Sequence, residues 1–120
     1  MFGPVGHDGY FKPLFDKLTG KIDPTVAEYW REHYDLRHYL KQNWKTVGKK
    51  LVGKLHFFAG RRDQFYLNIG VEHMQDFLES TRDPHYAGTF SYGGRGGHGW
   101  SPFKSRGELL RLMAAHVQRN

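Results

Sequence analysis

Gly53-Lys54-Leu55-His56-Phe57-Phe58-Ala59-Gly60 is a short apolar run with a glycine at each end. Its length and aromatic content favour a buried strand over a helix. Beyond it the period changes: Leu67, Val71, Met74, Phe77 and Leu78 recur at helical spacing up to Ser80. Asp83-Pro84 breaks that helix, and Thr89-Phe90-Ser91-Tyr92 reads as a second strand ahead of the glycine-rich stretch from Gly93 to Trp100. Ser105-Arg106-Gly107-Glu108 has the spacing of a capping box and opens a last helix, with Leu109, Leu112, Met113 and Val117 on one face. Residues 51–120 therefore read as strand, helix, strand, loop, helix, an α/β arrangement. A strand–helix–strand unit of this length joins parallel strands through a crossover.

Upstream the pattern differs. Residues 1–22 are rich in Gly, Pro and aromatics without a sustained period, and read as an irregular segment held down by its aromatic side chains. Asp23-Pro24 is a helix start: the Asp accepts the free N–H groups of the first turn, and Pro at the first helical position gives up no needed donor. Val26, Tyr29, Trp30, His33 and Tyr34 form one stripe; Asp35 caps a second helix striped by Leu36, Tyr39, Leu40 and Trp44. Two short helices, an insertion over 23–50, precede the α/β segment. With 120 residues, one domain is the expectation.

The strand order decides where chemistry can sit. Both strand C-terminal ends of a crossover unit lie on one sheet edge, with Asp63 just beyond the first and His98 just beyond the second. Adjacent strands are about 4.8 Å apart, so short loops can bring the two side chains into contact. A carboxylate there would orient the imidazole and stabilise its protonated form, and glycines around His98 let its loop aim the ring. Tyr66 and Trp100, close to these in sequence, are read as substrate contacts.

The segment from Gly53 to Leu67, with Gly60-Arg61-Arg62-Asp63-Gln64-Phe65-Tyr66-Leu67 at its end, resembles the strand-and-acid segment of esterases of the α/β-hydrolase superfamily, the esterase D-like group. In that group the G-x-x-D-x-(aromatic)-Y-L stretch precedes a helix, a strand and a glycine-flanked H-x-W, matched here by Gly97-His98-Gly99-Trp100. The run from Ile22 to Leu36 resembles an insertion found in a subset of these proteins, so the likeness extends from about Gly9 to Trp100. It implies a three-layer α/β-hydrolase-type fold, a catalytic triad with Asp63 as acid and His98 as base, and a small-molecule or carbohydrate-linked ester as substrate. No cofactor is implied.

One element of that pattern is missing. The G-x-S-x-G elbow, which exposes the nucleophilic serine beside the oxyanion hole, does not occur. The serines are Ser80, Ser91, Ser101 and Ser105, and the nearest approach, Gly88-Thr89-Phe90-Ser91-Tyr92-Gly93, has the wrong spacing. The expectation is an incomplete α/β-hydrolase domain: a short parallel sheet edge with flanking helices, inactive alone and open to self-association along that edge. A scaffold that lost its serine and kept a binding cleft is the alternative.

Other readings carry less. His33, Asp35 and His38 do not align on one helix face, so no metal is expected. Gly94-Arg95-Gly96-Gly97-His98-Gly99 fits G-x-G-x-x-G, but no helix follows at once to hold a phosphate. The same loop beside Tyr92 and Trp100 could stack on single-stranded nucleic acid, although one such unit without repeats argues against it. The net charge of +6 reads as scattered, with basic pairs at Lys49-Lys50 and Arg61-Arg62 and no longer run. Without cysteine there is neither disulfide nor thiolate chemistry. No signal peptide and no membrane span is expected, and the compartment stays open.

Overall fold

The structure is a computed structural model and describes residues 3–117. The chain forms two compact units, one up to Lys49 and one from Lys50 onward.

In the first unit, the opening segment makes two isolated antiparallel bridges, Val5 with Phe11 and Phe15 with Ile22. Backbone bonds hold it: Gly6 N–H to Tyr10 O at 2.7 Å, Lys12 N–H to Pro4 O at 2.9 Å and Asp16 N–H to Lys21 O at 2.9 Å. The Asp16 carboxylate accepts from Thr19 N–H, Thr19 Oγ1 and Leu18 N–H, which keeps its pKa below the usual carboxylate value. Tyr10, Phe11 and Phe15 are exposed, which corrects the expectation that aromatic side chains anchor this stretch. Backbone pairing and not side-chain packing holds the segment, and most of its side chains are exposed.

Helix α1 (Pro24–Tyr34) starts as its cap predicts: Asp23 accepts from Thr25 N–H and Val26 N–H. Val26 is fully buried, while Tyr29 stacks on His33 and Trp30 meets Tyr34 edge-on along the helix itself. Helix α2 (Leu36–Leu51) is longer than the expected short helix. Gly48 does not end it. A Cβ there would lie 2.7 Å from Trp44, so the glycine gives the indole room to fold along the helix. The buried line is Leu40, Trp44 and Gly48, at strict i, i+4 spacing. Leu36, in the first turn, and Tyr39, about 100° round from Leu40, face outward instead of joining the stripe.

The second unit holds β1 (His56–Gly60), α3 (Leu67–Ser80), β2 (Thr89–Gly93) and α4 (Arg106–Val117). The strands pair in parallel, from His56 opposite Thr89 to Gly60 opposite Gly93. One sheet face carries Phe57, Ala59, Phe90 and Tyr92, and α3 lies on it. Phe57 stacks on Phe90 at 4.8 Å, and Tyr92 Oη donates to Gln75 Oε1 of α3 at 2.8 Å. Met74 and Leu78 are the buried residues of α3. The helix stops before Pro84 is reached, because the Thr81 hydroxyl donates to Leu78 O at 2.6 Å while Thr81 N–H bonds the same carbonyl.

The opposite face, with His56, Phe58, Thr89 and Ser91, looks toward α4 across a cleft of about 560 Å³. Ser105 Oγ accepts from Glu108 N–H at 3.2 Å, as in a capping box, but Glu108 reaches Lys104 N–H at 2.8 Å rather than that of Ser105. No residue of α4 is buried: Leu112, Met113 and Val117 line the cleft and do not close it. The buried-strand reading of β1 therefore holds only for Ala59 and Gly60, since Phe58 and His56 stand on the open side.

Burial, then the negative charge of Glu72, pushes the Tyr92 phenol above its ordinary pKa; Arg61, 4.6 Å from the ring centroid, opposes this, and Asp76 and Glu79 add to it. A phenol whose pKa rises on folding contributes stability that is present below its unfolded value, about 10, and lost as pH rises through the folded value. Denaturant midpoints should therefore fall above about pH 10, and less steeply in Tyr92→Phe; parallel pH profiles for the two proteins would contradict this.

Candidate active site

The site is built where both strands end. After Gly60 the chain makes two successive turns: Asp63 N–H donates to Gly60 O at 3.2 Å, and Tyr66 N–H to Asp63 O at 3.1 Å. After Gly93, the β2 end folds back across these turns. Arg61 N–H donates to Gly93 O and Arg62 N–H to Gly96 O, both at 2.9 Å, stitching one loop to the other. The approach requires glycine at 60. A Cβ at Gly60 would lie 2.2 Å from Gly96 O and 2.3 Å from Gly97 O, both backbone atoms.

This stitching brings Asp63 and His98 together. His98 Nδ1 lies 3.3 Å from Asp63 Oδ2, slightly beyond the usual hydrogen-bond length. Asp63 Oδ1 accepts from Phe65 N–H at 2.8 Å. The Asp63 side chain is 6% exposed and that of His98 47% exposed. A carboxylate only accepts, so Nδ1 carries the shared proton in the neutral ring and Nε2 keeps its lone pair. Among the described residues, none bonds Nε2. Arg61 pairs with Glu72 at 3.6 Å and lies over Tyr92, so the side chain paired with the carboxylate is the His98 imidazole and not the Arg61 guanidinium.

Two residues not singled out in the sequence complete the frame. Gln64 Oε1 accepts from the backbone N–H of His98 at 3.1 Å, and the Phe65 ring meets the imidazole edge-on at 4.9 Å. Phe65 fills the aromatic position of the G-x-x-D-x-(aromatic)-Y-L stretch, whereas the only sequence signal for Gln64 is that it directly follows the acid.

Tyr66 is 72% exposed and caps α3 in the left-handed region, at φ 59°. A non-glycine residue there is uncommon and tends to mark a functional turn. The conformation closes the turn that presents Asp63. Trp100 lies against the backbone of the His98 loop: a Cβ at Gly93 would sit 2.3 Å from its indole, and one at Gly96 2.5 Å. The Trp100 backbone N–H donates to Gly97 O at 3.2 Å. Trp100 thus packs the loop that carries His98.

Compared with protein-family models, curated proteins and solved structures, the chain matches none of them.

The serines lie elsewhere. Ser80 Oγ donates to Phe77 O, Ser101 Oγ accepts from Phe103 N–H, Ser105 caps α4 and Ser91 faces the cleft. Among the described residues, no serine hydroxyl bonds His98. His33, Asp35 and His38 are separately engaged: His33 Nδ1 with Tyr29 O, Asp35 Oδ1 with His38 N–H and His38 Nε2 with Gln42. Among the described residues there is no group of three metal-ligating side chains, and no helix is long and apolar enough to cross a membrane.

Proposed function

We propose that this chain contributes the acid and the base of a serine esterase-like hydrolase, with Asp63 and His98 in those roles and the nucleophilic serine outside these residues. The reading rests on one observation: a buried carboxylate bonded to Nδ1 of a half-exposed imidazole whose Nε2 has no hydrogen bond among the described residues. Support also comes from the resemblance of the two loops to the acid and histidine segments of esterase D-like α/β-hydrolases.

In this reading His98 Nε2 takes the serine proton as the oxygen attacks the ester carbonyl, then returns it to the departing alcohol. Water cleaves the acyl-serine by the same proton traffic in reverse. Asp63 holds the ring in the Nδ1–H tautomer and stabilises the imidazolium. Tyr66, exposed beside the acid turn, and Trp100 are the substrate contacts. The three-layer hydrolase fold is part of the same proposal. The chain supplies its sheet edge, and without the remainder that edge is open to self-association.

A nitrophenyl ester tests this. The 120-residue chain should show no saturable turnover above its His98→Ala variant. Complemented by a segment that supplies the serine, it should turn over, and Asp63→Asn in that form should lower kcat about 10⁴-fold, as loss of the acid does in other triads. Saturable turnover by the 120-residue chain, lost in His98→Ala, would place a nucleophile inside it and overturn the proposal.

A further inference from the structure

Helix α2 carries five cations, Arg37, Lys41, Lys45, Lys49 and Lys50, and no Asp or Glu. The whole chain has a net charge of only +6, so this one helix holds a charge close to that of the entire protein. Four of the five, Arg37, Lys41, Lys45 and Lys49, recur every fourth residue. In a helix that spacing puts them in one inclined row, about 6 Å apart along the axis and about 18 Å from end to end, each about 40° round the helix from the last. What the sequence presents as scattered charge is a single line in the folded helix.

The row is held outward. Leu40, Trp44 and Gly48 bury the neighbouring flank, and Lys41, Lys45 and Lys49 are exposed. Among the described residues none of the four makes an ion pair. Asp35, the acid beside the helix start, is already used as an acceptor for His38 N–H at 3.0 Å. Each i, i+4 step therefore sets like charges side by side, which costs helix stability a few tenths of a kcal/mol per pair. An arrangement that is unfavourable in the free protein becomes favourable against a linear polyanion.

We infer that the Arg37–Lys41–Lys45–Lys49 row binds the phosphodiester backbone of a nucleic acid. A duplex strand carries a phosphate at every nucleotide, so a row of this length can set at most one phosphate against each of its four cations. His38 and Gln42, on the same side of the helix, add hydrogen-bonding groups at its margin. An anionic membrane fits less well. Its charges are laterally mobile and need no row, and stable attachment calls for apolar insertion beside the cations, where of Leu36, Leu40 and Trp44 only Leu36 is exposed. The contact reads backbone and not sequence. It is independent of Asp63 and His98.

The test is fluorescence anisotropy of a short labelled DNA duplex titrated with the whole chain at several salt concentrations. Four phosphate contacts predict a slope of log K against log salt of about −3.6, so affinity should fall roughly 100-fold between 50 mM and 200 mM salt. The double variant Lys41→Gln, Lys45→Gln should bind at least about tenfold more weakly, with the slope reduced to about −1.8. Gln matches Lys in helix propensity and removes like-charge contacts, so circular dichroism should show the helix kept. Absence of binding at low salt, or a slope unchanged in the double variant, would overturn the assignment. So would binding to phosphatidylserine vesicles without binding to the duplex.

Discussion

Gly60→Ala is expected to separate the histidine loop from the acid loop. A methyl group at this position would come within 2.2–2.3 Å of two carbonyl oxygens, those of Gly96 and Gly97, and neither belongs to a side chain that can rotate away. The backbone must move, and overpacking of this kind costs about 1–3 kcal/mol. The bonds at risk are Arg62 N–H to Gly96 O and His98 N–H to Gln64 Oε1, and with them the 3.3 Å contact of His98 with Asp63. Amide hydrogen exchange reads this directly: Arg62 and His98 should lose protection, while the α3 amides keep theirs. Gly94→Ala is the matched control, since nothing lies within 4 Å of a Cβ there, and it should leave both amides protected. Full protection of Arg62 and His98 in Gly60→Ala would mean that the two loops do not meet as described.

The second large effect is on stability. Leu78 is 0% exposed and, with Met74, forms the buried side of α3. Truncation to alanine removes the transfer energy of the lost methyl groups and leaves a cavity, together about 2–5 kcal/mol. For a folding unit of this size that corresponds to a fall in Tm of roughly 10 °C or more. Leu110→Ala, on the exposed side of α4, should cost less than about 0.5 kcal/mol. Thermal melts followed by circular dichroism compare the two, and equal shifts would show that the Leu78 side is not the core of the unit.

The comparison of these two positions also shows what a pattern can and cannot say. Leu78 belongs to the apolar set read from spacing alone, and the helix it sits in runs from Leu67 to Ser80 as the periodicity predicts. The α4 residues Leu112, Met113 and Val117 have the same kind of pattern, yet they border an open cleft. Periodicity assigns a face to a helix but is silent on how closely the opposite surface approaches. The same applies to Leu36 and Tyr39, which share the apolar stripe of α2 in sequence and face outward in the fold. Charge behaves in the reverse way. Arg37, Lys41, Lys45 and Lys49 are separated by uncharged residues in the chain, so no run is visible until the helix brings them into line.

The candidate site divides along the same boundary. The order of strand, helix and strand, the parallel pairing it requires and the placement of Asp63 and His98 on one sheet edge are consequences of hydrophobic period and chain connectivity, and the amino-acid sequence alone determined them. That Asp63 is buried and bonded through its second oxygen to Phe65 N–H, that Gln64 holds the His98 backbone, and that Gly60 is pressed by two carbonyls was decided by the tertiary structure. The physical reason is one of scale. Period and connectivity place residues to within a strand spacing, several ångströms, whereas a hydrogen bond between residues 35 positions apart depends on tenths of an ångström, set by the dihedral angles of two loops and by the backbone atoms that meet between them.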